Sequence, residues 1–272
     1  MIARLFKSRT VRPIRRPARA PEDAAVWVIG DIHGTADLLR PLLEAVGEDL
    51  ERTTQSRRVL VCLGDYIDRG PDSRGVLDSL VAFARNPSVE AYFLRGNHED
   101  RMEAFLADPE VGPGWCDYGG RETLGSFGIV PPARNAGRAV WADVSVALNQ
   151  ALSPDHRSFL AGQVYCLTLG DFFFAHAGAE PGVPLGRQDP QQLMWIRRRF
   201  TDHPDAFEKM IVHGHTPVTD VHIDHRRIAL DTGAYATGVL SALRLSGEGR
   251  SLMQAVRTGS AIDVRRRPLS GA

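Results

Sequence analysis

Long apolar runs, cysteine and net charge are what this chain of 272 residues has least of. No stretch approaches the ~20 consecutive apolar residues that a membrane span needs. The N-terminus lacks the apolar core of a secretory signal, because Pro13, Pro17 and repeated arginines interrupt it. Three cysteines, Cys62, Cys116 and Cys166, are too few and too scattered for a disulfide framework or a zinc site. Cys62 and Cys166 lie in apolar runs and read as small core residues, which suits a reducing, cytoplasmic setting. The formal charge is zero, but its distribution is uneven. Residues 1–20 carry Arg4, Lys7, Arg9, Arg12, Arg15, Arg16 and Arg19 with no acid, which leaves 26 basic residues against 33 acids elsewhere. An acidic body does not suit nucleic-acid binding, where a basic face is expected.

What is present is a rhythm of short apolar runs ending in polar residues. Residues 1–23, rich in Pro and Arg without periodicity, read as a disordered basic tail. Val26-Trp27-Val28-Ile29 reads as a buried strand that stops at Gly30-Asp31, and Thr35 is placed to cap a helix through Leu38, Leu39, Leu42 and Leu43. Val59–Leu63 repeats the strand and again ends in Gly-Asp, and Tyr92-Phe93-Leu94 runs into Arg95-Gly96-Asn97-His98-Glu99. Strands alternating with helices predict a mostly parallel sheet that gathers ligands at its strand C-terminal edge. Residues 108–162, punctuated by Gly and Pro, read as an insertion able to wall a site. Further strand patterns occur at Val164–Leu169, Phe172–Ala175, Met210–Val212, Ile228–Leu230 and Val239–Leu245. The expectation is an α/β fold of two β layers flanked by helices, spanning 24–262, with 263–272 as a frayed C-terminal tail.

Asp31 and His33 are two apart and point the same way on an extended turn. Asp65, Asn97, His176 and His215 add one ligand-type group from each of four further strand ends. Carboxylate, imidazole and amide donors without thiolate favour Mn²⁺, with Fe²⁺ and Zn²⁺ as alternatives. Six such groups exceed one ion's ordinary share, so a pair of divalent ions is expected. His156, His203, His222 and His225 read as structural, and His213 is ambiguous because it lies two residues from His215.

Three motifs in order, Gly30-Asp31-Ile32-His33-Gly34, Gly64-Asp65-Tyr66-Ile67-Asp68-Arg69-Gly70 and Arg95-Gly96-Asn97-His98-Glu99, resemble the signature of the phosphoprotein phosphatase family of metallophosphoesterases. His176-Ala177-Gly178 and Gly214-His215-Thr216-Pro217 match its later histidine motifs, and the likeness runs from about Val26 to Val239. Trp195-Ile196-Arg197 and Asp231-Thr232-Gly233-Ala234 look most like its bacterial and bacteriophage members. The resemblance implies a β-sandwich with a di-metal site and hydrolysis by in-line attack of a metal-bridging hydroxide on phosphorus. It places Asp31 and His33 on one metal, Asp65 between the two, and Asn97, His176 and His215 on the second. It gives Arg69 and Arg197, and more weakly Arg95, to the substrate phosphate. His98 becomes the acid for the leaving oxygen, with Asp68 orienting it. A serine/threonine protein phosphatase is the leading expectation. The alternatives are symmetrical hydrolysis of diadenosine tetraphosphate, whose members usually read Gly-Asn-His-Asp, and a broad-specificity small-molecule phosphatase.

Overall fold

The alternation in Val26-Trp27-Val28-Ile29 sends its side chains to two different cores, and this decides the architecture of the computed structural model, which describes residues 17–269. Val26 and Val28 pack between two sheets with Val59, Val61, Phe172, Phe174, Val212 and Leu243. Trp27 and Ile29 face the opposite way, under helices that contribute Leu38, Leu39, Leu42 and Leu77. Each strand side chain thus finds apolar cover on whichever face it points to.

The first sheet holds β1 (Ala24–Ile29), β2 (Arg57–Cys62), β3 (Glu90–Phe93), β9 (Val239–Ser246), β10 (Gly249–Thr258) and β11 (Ala261–Pro268), in the order β11-β10-β9-β1-β2-β3. Strands β1, β2 and β3 run parallel, with Val28 opposite Val61 and Val61 opposite Tyr92. The crossovers are helices α1 (Ala36–Arg52) and α2 (Ser73–Ala84). The second sheet, β4-β5-β6-β8-β7, comprises β4 (Cys166–Leu169), β5 (Phe172–Ala175), β6 (Met210–His213), β7 (His222–Ile223) and β8 (Arg227–Ala229). Its outer face is covered by Leu193, Ile196 and Phe200. The expected two-layer α/β fold is therefore present. Among the described residues, no helix is long and apolar enough to cross a membrane.

Three local expectations change. Thr35 precedes α1 but its hydroxyl donates to Ile32 O at 2.6 Å and does not cap the helix. The C-terminal segment is not frayed through Pro268: β11 pairs antiparallel with β10, from Thr258 opposite Ala261 to Ser251 opposite Pro268. Its charge is what holds it. Arg266 binds Asp49 at 2.8 Å and lies over the Trp27 ring, while Asp49 also accepts from Trp27 Nε1 and Arg244. Part of the segment expected as basic tail, 1–23, is packed as well. Residues 1–16 lie outside the described residues, but Ala18 and Ala20 are buried between the sheets.

Ala20 N–H donates to Gly247 O at 2.9 Å, and Arg19 O accepts from Asp171 N–H at 2.9 Å. These bonds close one end of the sandwich, and they motivate a prediction. A chain beginning at Asp23 should melt several degrees below one beginning at Pro17. Three backbone bonds, counting Ala24 N–H to Pro21 O at 3.1 Å, are lost at ~0.5–1.5 kcal/mol each, which amounts to about 3 kcal/mol. Equal melting temperatures in parallel thermal scans would show that this segment contributes nothing.

Residues 108–162 form mainly helix: α3 (Asn97–Ala107) leads through a 3₁₀ turn to α4 (Gly112–Trp115), α5 (Arg121–Ser126), α6 (Arg138–Ala151) and α7 (Pro154–Ala161). Between α4 and α5, Cys116–Gly120 make a π-turn. His156 is structural, as expected: its N–H is capped by Ser153 Oγ and its Nε2 lies 2.7 Å from Asp78 of α2.

Candidate functional site

The C-terminal ends of β1, β2, β3, β5 and β6 meet along one edge, and each delivers a polar residue there: Asp31 and His33, Asp65, Asn97, His176, and His215. All six are buried. Gathering so many buried polar groups, with Asp31 Oδ1 and His215 Nε2 left without partners, is costly and marks a site built for charge. Backbone geometry supports this. The described non-glycine residues with positive φ are His33, Asp65, Asp68, Arg69 and His215, all of them here. Left-handed backbone costs of order 1–3 kcal/mol per residue outside glycine and survives where the surroundings enforce it.

Glu99 is one enforcing group. Its buried carboxylate accepts from the N–H groups of Asp65 (3.0 Å), Tyr66 (2.8 Å), Ile67 (3.3 Å) and Gly96 (3.0 Å), clamping the 64–69 loop to the start of α3. Burial and then Asp65 push its pKa up to about 7, against the pull of those donors. Gly214 supplies a close approach: a Cβ there would sit 1.9 Å from Asp31 Oδ1, so any side chain would displace that carboxylate. Neither role has a signature in the linear order of residues.

The histidines are held in one tautomer by backbone carbonyls. His33 Nδ1 lies 2.9 Å from Ile67 O, and His176 Nδ1 lies 2.9 Å from Leu63 O, so both donate there and turn Nε2 toward Asp65. His33 Nε2 is 3.4 Å from Asp65 Oδ2, and His176 Nε2 is 3.3 Å from Asp65 Oδ1. Asp65 therefore offers one oxygen to each side. His176 Nε2 also lies 3.0 Å from Asn97 Oδ1 and 3.2 Å from His215 Nδ1. Backbone-fixed imidazoles beside a shared carboxylate are the arrangement by which proteins orient metal ligands.

Two groups of donors converge closely enough to share an ion: His33, Asp65 and His98, and Asp65, His176 and His215. Asp31 stands beside the second group, its Oδ2 accepting from His215 N–H at 2.8 Å while Oδ1 is buried without a partner. Burial and then the neighbouring Asp231 raise the Asp31 pKa well above the carboxylate range. Burial lowers His33 to about 3 and His215 to about 2, so both are neutral and ready to donate a lone pair. An orphaned carboxylate oxygen, crowded acids and the neutral His33 and His215 fit divalent cations. Burial lowers the His176 pKa, but Asp65 outweighs this and raises it to about 10, so His176 would yield its proton to a bound cation.

His98 is placed differently. Its Nδ1 lies 2.7 Å from Asp68 Oδ2, and its Nε2 lies 3.0 Å from Arg69 Nη2. Burial lowers its pKa, but Asp65 and Asp68 outweigh this and the net direction is upward. Asp68 is fully enclosed. Besides His98 it accepts from Trp115 Nε1 at 2.8 Å and Thr123 Oγ1 at 2.6 Å. Sequence reading missed Trp115 and Thr123, because they lie in the insertion, far along the chain from the residue they serve.

Arg69 Nη1 is 3.1 Å from His33 Nε2, and the guanidinium lies over the Tyr235 ring at 5.1 Å. Arg69 and Arg197 line one groove of about 590 Å³ with His215, Tyr118 and Tyr235. Arg95 does not join them: it turns away to pair with Glu103 and, at 3.9 Å, Asp100 on α3. Its place beside Asn97 in the motif does not bring its side chain to the groove. His213 is also excluded, since Nδ1 lies 2.9 Å from Gly214 O and Nε2 3.0 Å from Arg227 Nη1. Burial lowers it to about 3. Asp231, which sequence reading left without a role, is buried at the edge of the cluster with Oδ1 held by Gly233 N–H.

Comparison with known proteins agrees with this geometry. The chain is 26% identical over 236 residues to a protein of Halalkalibacterium halodurans named bis(5'-nucleosyl)-tetraphosphatase PrpE, asymmetrical, covering 80% of this chain and 88% of that one. A Bacillus velezensis protein of the same name is 28% identical over 235 residues, covering 80% and 87%. Among solved structures, a cold-active protein-tyrosine phosphatase of a psychrophilic Shewanella superposes with a TM-score of 0.54 at 17% identity, covering 93% of this chain and 83% of that one. Its likeness extends to the fold. The calcineurin-like phosphoesterase pattern matches residues 24–240, the whole span that carries the convergent acids and histidines, and the chain belongs to that family.

Proposed function

We propose that this phosphoesterase hydrolyses dinucleoside tetraphosphates, cleaving them asymmetrically into a nucleoside triphosphate and a nucleoside monophosphate. The observation that carries this reading is the groove: two arginines beside the carboxylate–imidazole cluster, with Tyr118 and Tyr235 on its walls. That combination suits a polyanion with aromatic ends better than a peptide. The names of relatives 26% and 28% identical point to the same substrate class.

In this reading His33 and Asp65 would hold one divalent cation and Asp65, Asn97, His176 and His215 a second, with Asp31, beside His215, adding its unpartnered oxygen Oδ1. Bound there, the cations supply Lewis acidity that lowers the pKa of water and offsets charge on phosphoryl oxygens. Arg69 and Arg197 grip non-bridging oxygens, a geometry that guanidinium groups match with paired hydrogen bonds. Water adds to phosphorus as the bridging P–O bond breaks, and the triphosphate leaves as a stabilised anion. Product analysis decides the split. ATP with AMP from diadenosine tetraphosphate supports the proposal, ADP alone supports symmetrical cleavage, and no nucleotide product overturns it.

A second reading, a serine/threonine protein phosphatase, is favoured by the His98–Asp68 pair, since an alkoxide leaving group needs a positioned acid. The two readings share their arginines. Replacing Arg197 with Ala should lower kcat/KM about thirty-fold on any phosphoester, roughly 2 kcal/mol for a lost charge-assisted bond. Metal content by elemental analysis should be unchanged. Wild-type kinetics in that variant would remove Arg197 from the site.

A further inference from the structure

We infer that Tyr118 is a nucleobase platform: its ring stacks the base of the nucleotide whose phosphate occupies the Arg69–Arg197 groove. This rests on the nucleotide reading above and assigns it a residue.

The side chain is 69% exposed, the most open of the large apolar side chains on this wall, and yet its backbone is fixed. Tyr118 sits in the π-turn Cys116–Gly120, between buried Trp115 and a glycine locked onto the site. Gly119 O accepts from Arg69 N–H at 3.1 Å, and Gly119 has φ 113°, where a Cβ would lie 2.5 Å from Arg69 N. Trp115 donates to Asp68 on one side of the turn, and Asp117 pairs with Arg134 at 2.8 Å on the other. The fixed backbone of this turn thus presents a largely exposed ring to the groove. Pre-organisation of this kind lowers the entropy cost of binding a flat partner.

Charge then assigns the two ends of the groove. Asp117 and Glu122 line the groove with Tyr118. Arg69 joins this wall through its backbone bond to Gly119 but turns its guanidinium toward His33 and His98, and Arg197 reaches His215 O at 3.5 Å. Carboxylates repel a phosphate chain but accept hydrogen bonds from the amino group of an uncharged base. The phosphates therefore run along the arginines and the base lies against Tyr118. Tyr235, 39% exposed, is committed to His33 at 5.4 Å between ring centroids and to Arg69, and serves the phosphate end.

The test uses AMP and inorganic phosphate as competitive inhibitors of 4-nitrophenyl phosphate hydrolysis by the metal-loaded full chain. In wild type AMP should bind about ten-fold more tightly than phosphate, the lower range for one stacked base. Tyr118→Phe should keep that advantage, since stacking needs the ring and not the hydroxyl. Tyr118→Ala should reduce it to within about two-fold of unity, by loss of the stacked ring. Equal AMP and phosphate affinities in wild type, or an advantage that survives in Tyr118→Ala, overturns the inference. Hydrolysis of diadenosine tetraphosphate is measured alongside. If the dinucleotide is cleaved while the AMP advantage ignores Tyr118, the platform fails and the proposed function stands. If AMP preference depends on Tyr118 but no dinucleotide is cleaved, the platform stands and the proposed substrate falls.

Discussion

Stripping divalent ions with a chelator should lower hydrolysis of 4-nitrophenyl phosphate by more than about a thousand-fold, because uncoordinated water has a pKa some eight to nine units above that of metal-activated water. Mn²⁺ should restore the rate better than Ca²⁺, which prefers more oxygen ligands than this mixed oxygen and nitrogen set provides. The same ions should stabilise the fold. Asp31, Asp65 and Asp231 are buried together, and Asp31 is held above its ordinary pKa by burial and its neighbours. A cation that binds only the native state raises the melting temperature by mass action. The rise should be seen in wild type and should be small in Asp65→Asn, which loses the carboxylate placed 3.4 Å from His33 and 3.3 Å from His176. Full activity in protein shown by elemental analysis to be metal-free would end the metallophosphoesterase reading of this chain.

Why the site was legible in the sequence while parts of the fold were not has a physical answer. Asp31, Asp65 and His176 follow strands whose ends are buried and Asn97 follows the half-buried β3, and the chain cannot bury such strands without turning at their ends. The turn residues are then confined to one edge, so linear order maps onto spatial proximity. Charge contacts across the fold have no such linear signature. Arg266 reads as part of a solvated arginine run, but Asp49 of α1, distant in sequence, makes it part of an edge strand. Residues 17–22 continue the tail in sequence because Pro17 and Pro21 break any period and no large apolar side chain appears among them. Two small side chains, Ala18 and Ala20, settle their place. Arg95 shows the reverse error. Its neighbours in the motif belong to the site, but Glu103, two turns along α3, captures its side chain.

Trp115 and Thr123 were invisible for the same reason, and they sharpen what Asp68→Asn can reveal. Asp68 accepts three side-chain hydrogen bonds: His98 and Trp115 share Oδ2, and Thr123 takes Oδ1. An asparagine can keep its carbonyl oxygen toward His98 and Trp115 and turn its amide toward the Thr123 hydroxyl, which also accepts. The fold and the metal ligands should therefore survive, and what disappears is a negative charge 2.7 Å from His98 Nδ1. That charge helps hold the His98 pKa above its ordinary value, so its loss weakens His98 as a proton donor at neutral pH. The consequence depends on the leaving group. A phosphoserine peptide expels an alkoxide and should lose ~10²–10³ in kcat, the scale of one general acid. 4-Nitrophenyl phosphate and diadenosine tetraphosphate expel stable anions and should lose less than about ten-fold, since leaving oxygens of low pKa gain little from protonation. Asp65→Asn should instead slow all three alike and reduce bound metal. Comparing both variants on the three substrates, with metal analysis alongside, separates the proton donor from the ion cluster. Equal losses across the substrates in Asp68→Asn, or a fall in its metal content, would show that Asp68 supports the metal ligands rather than the acid.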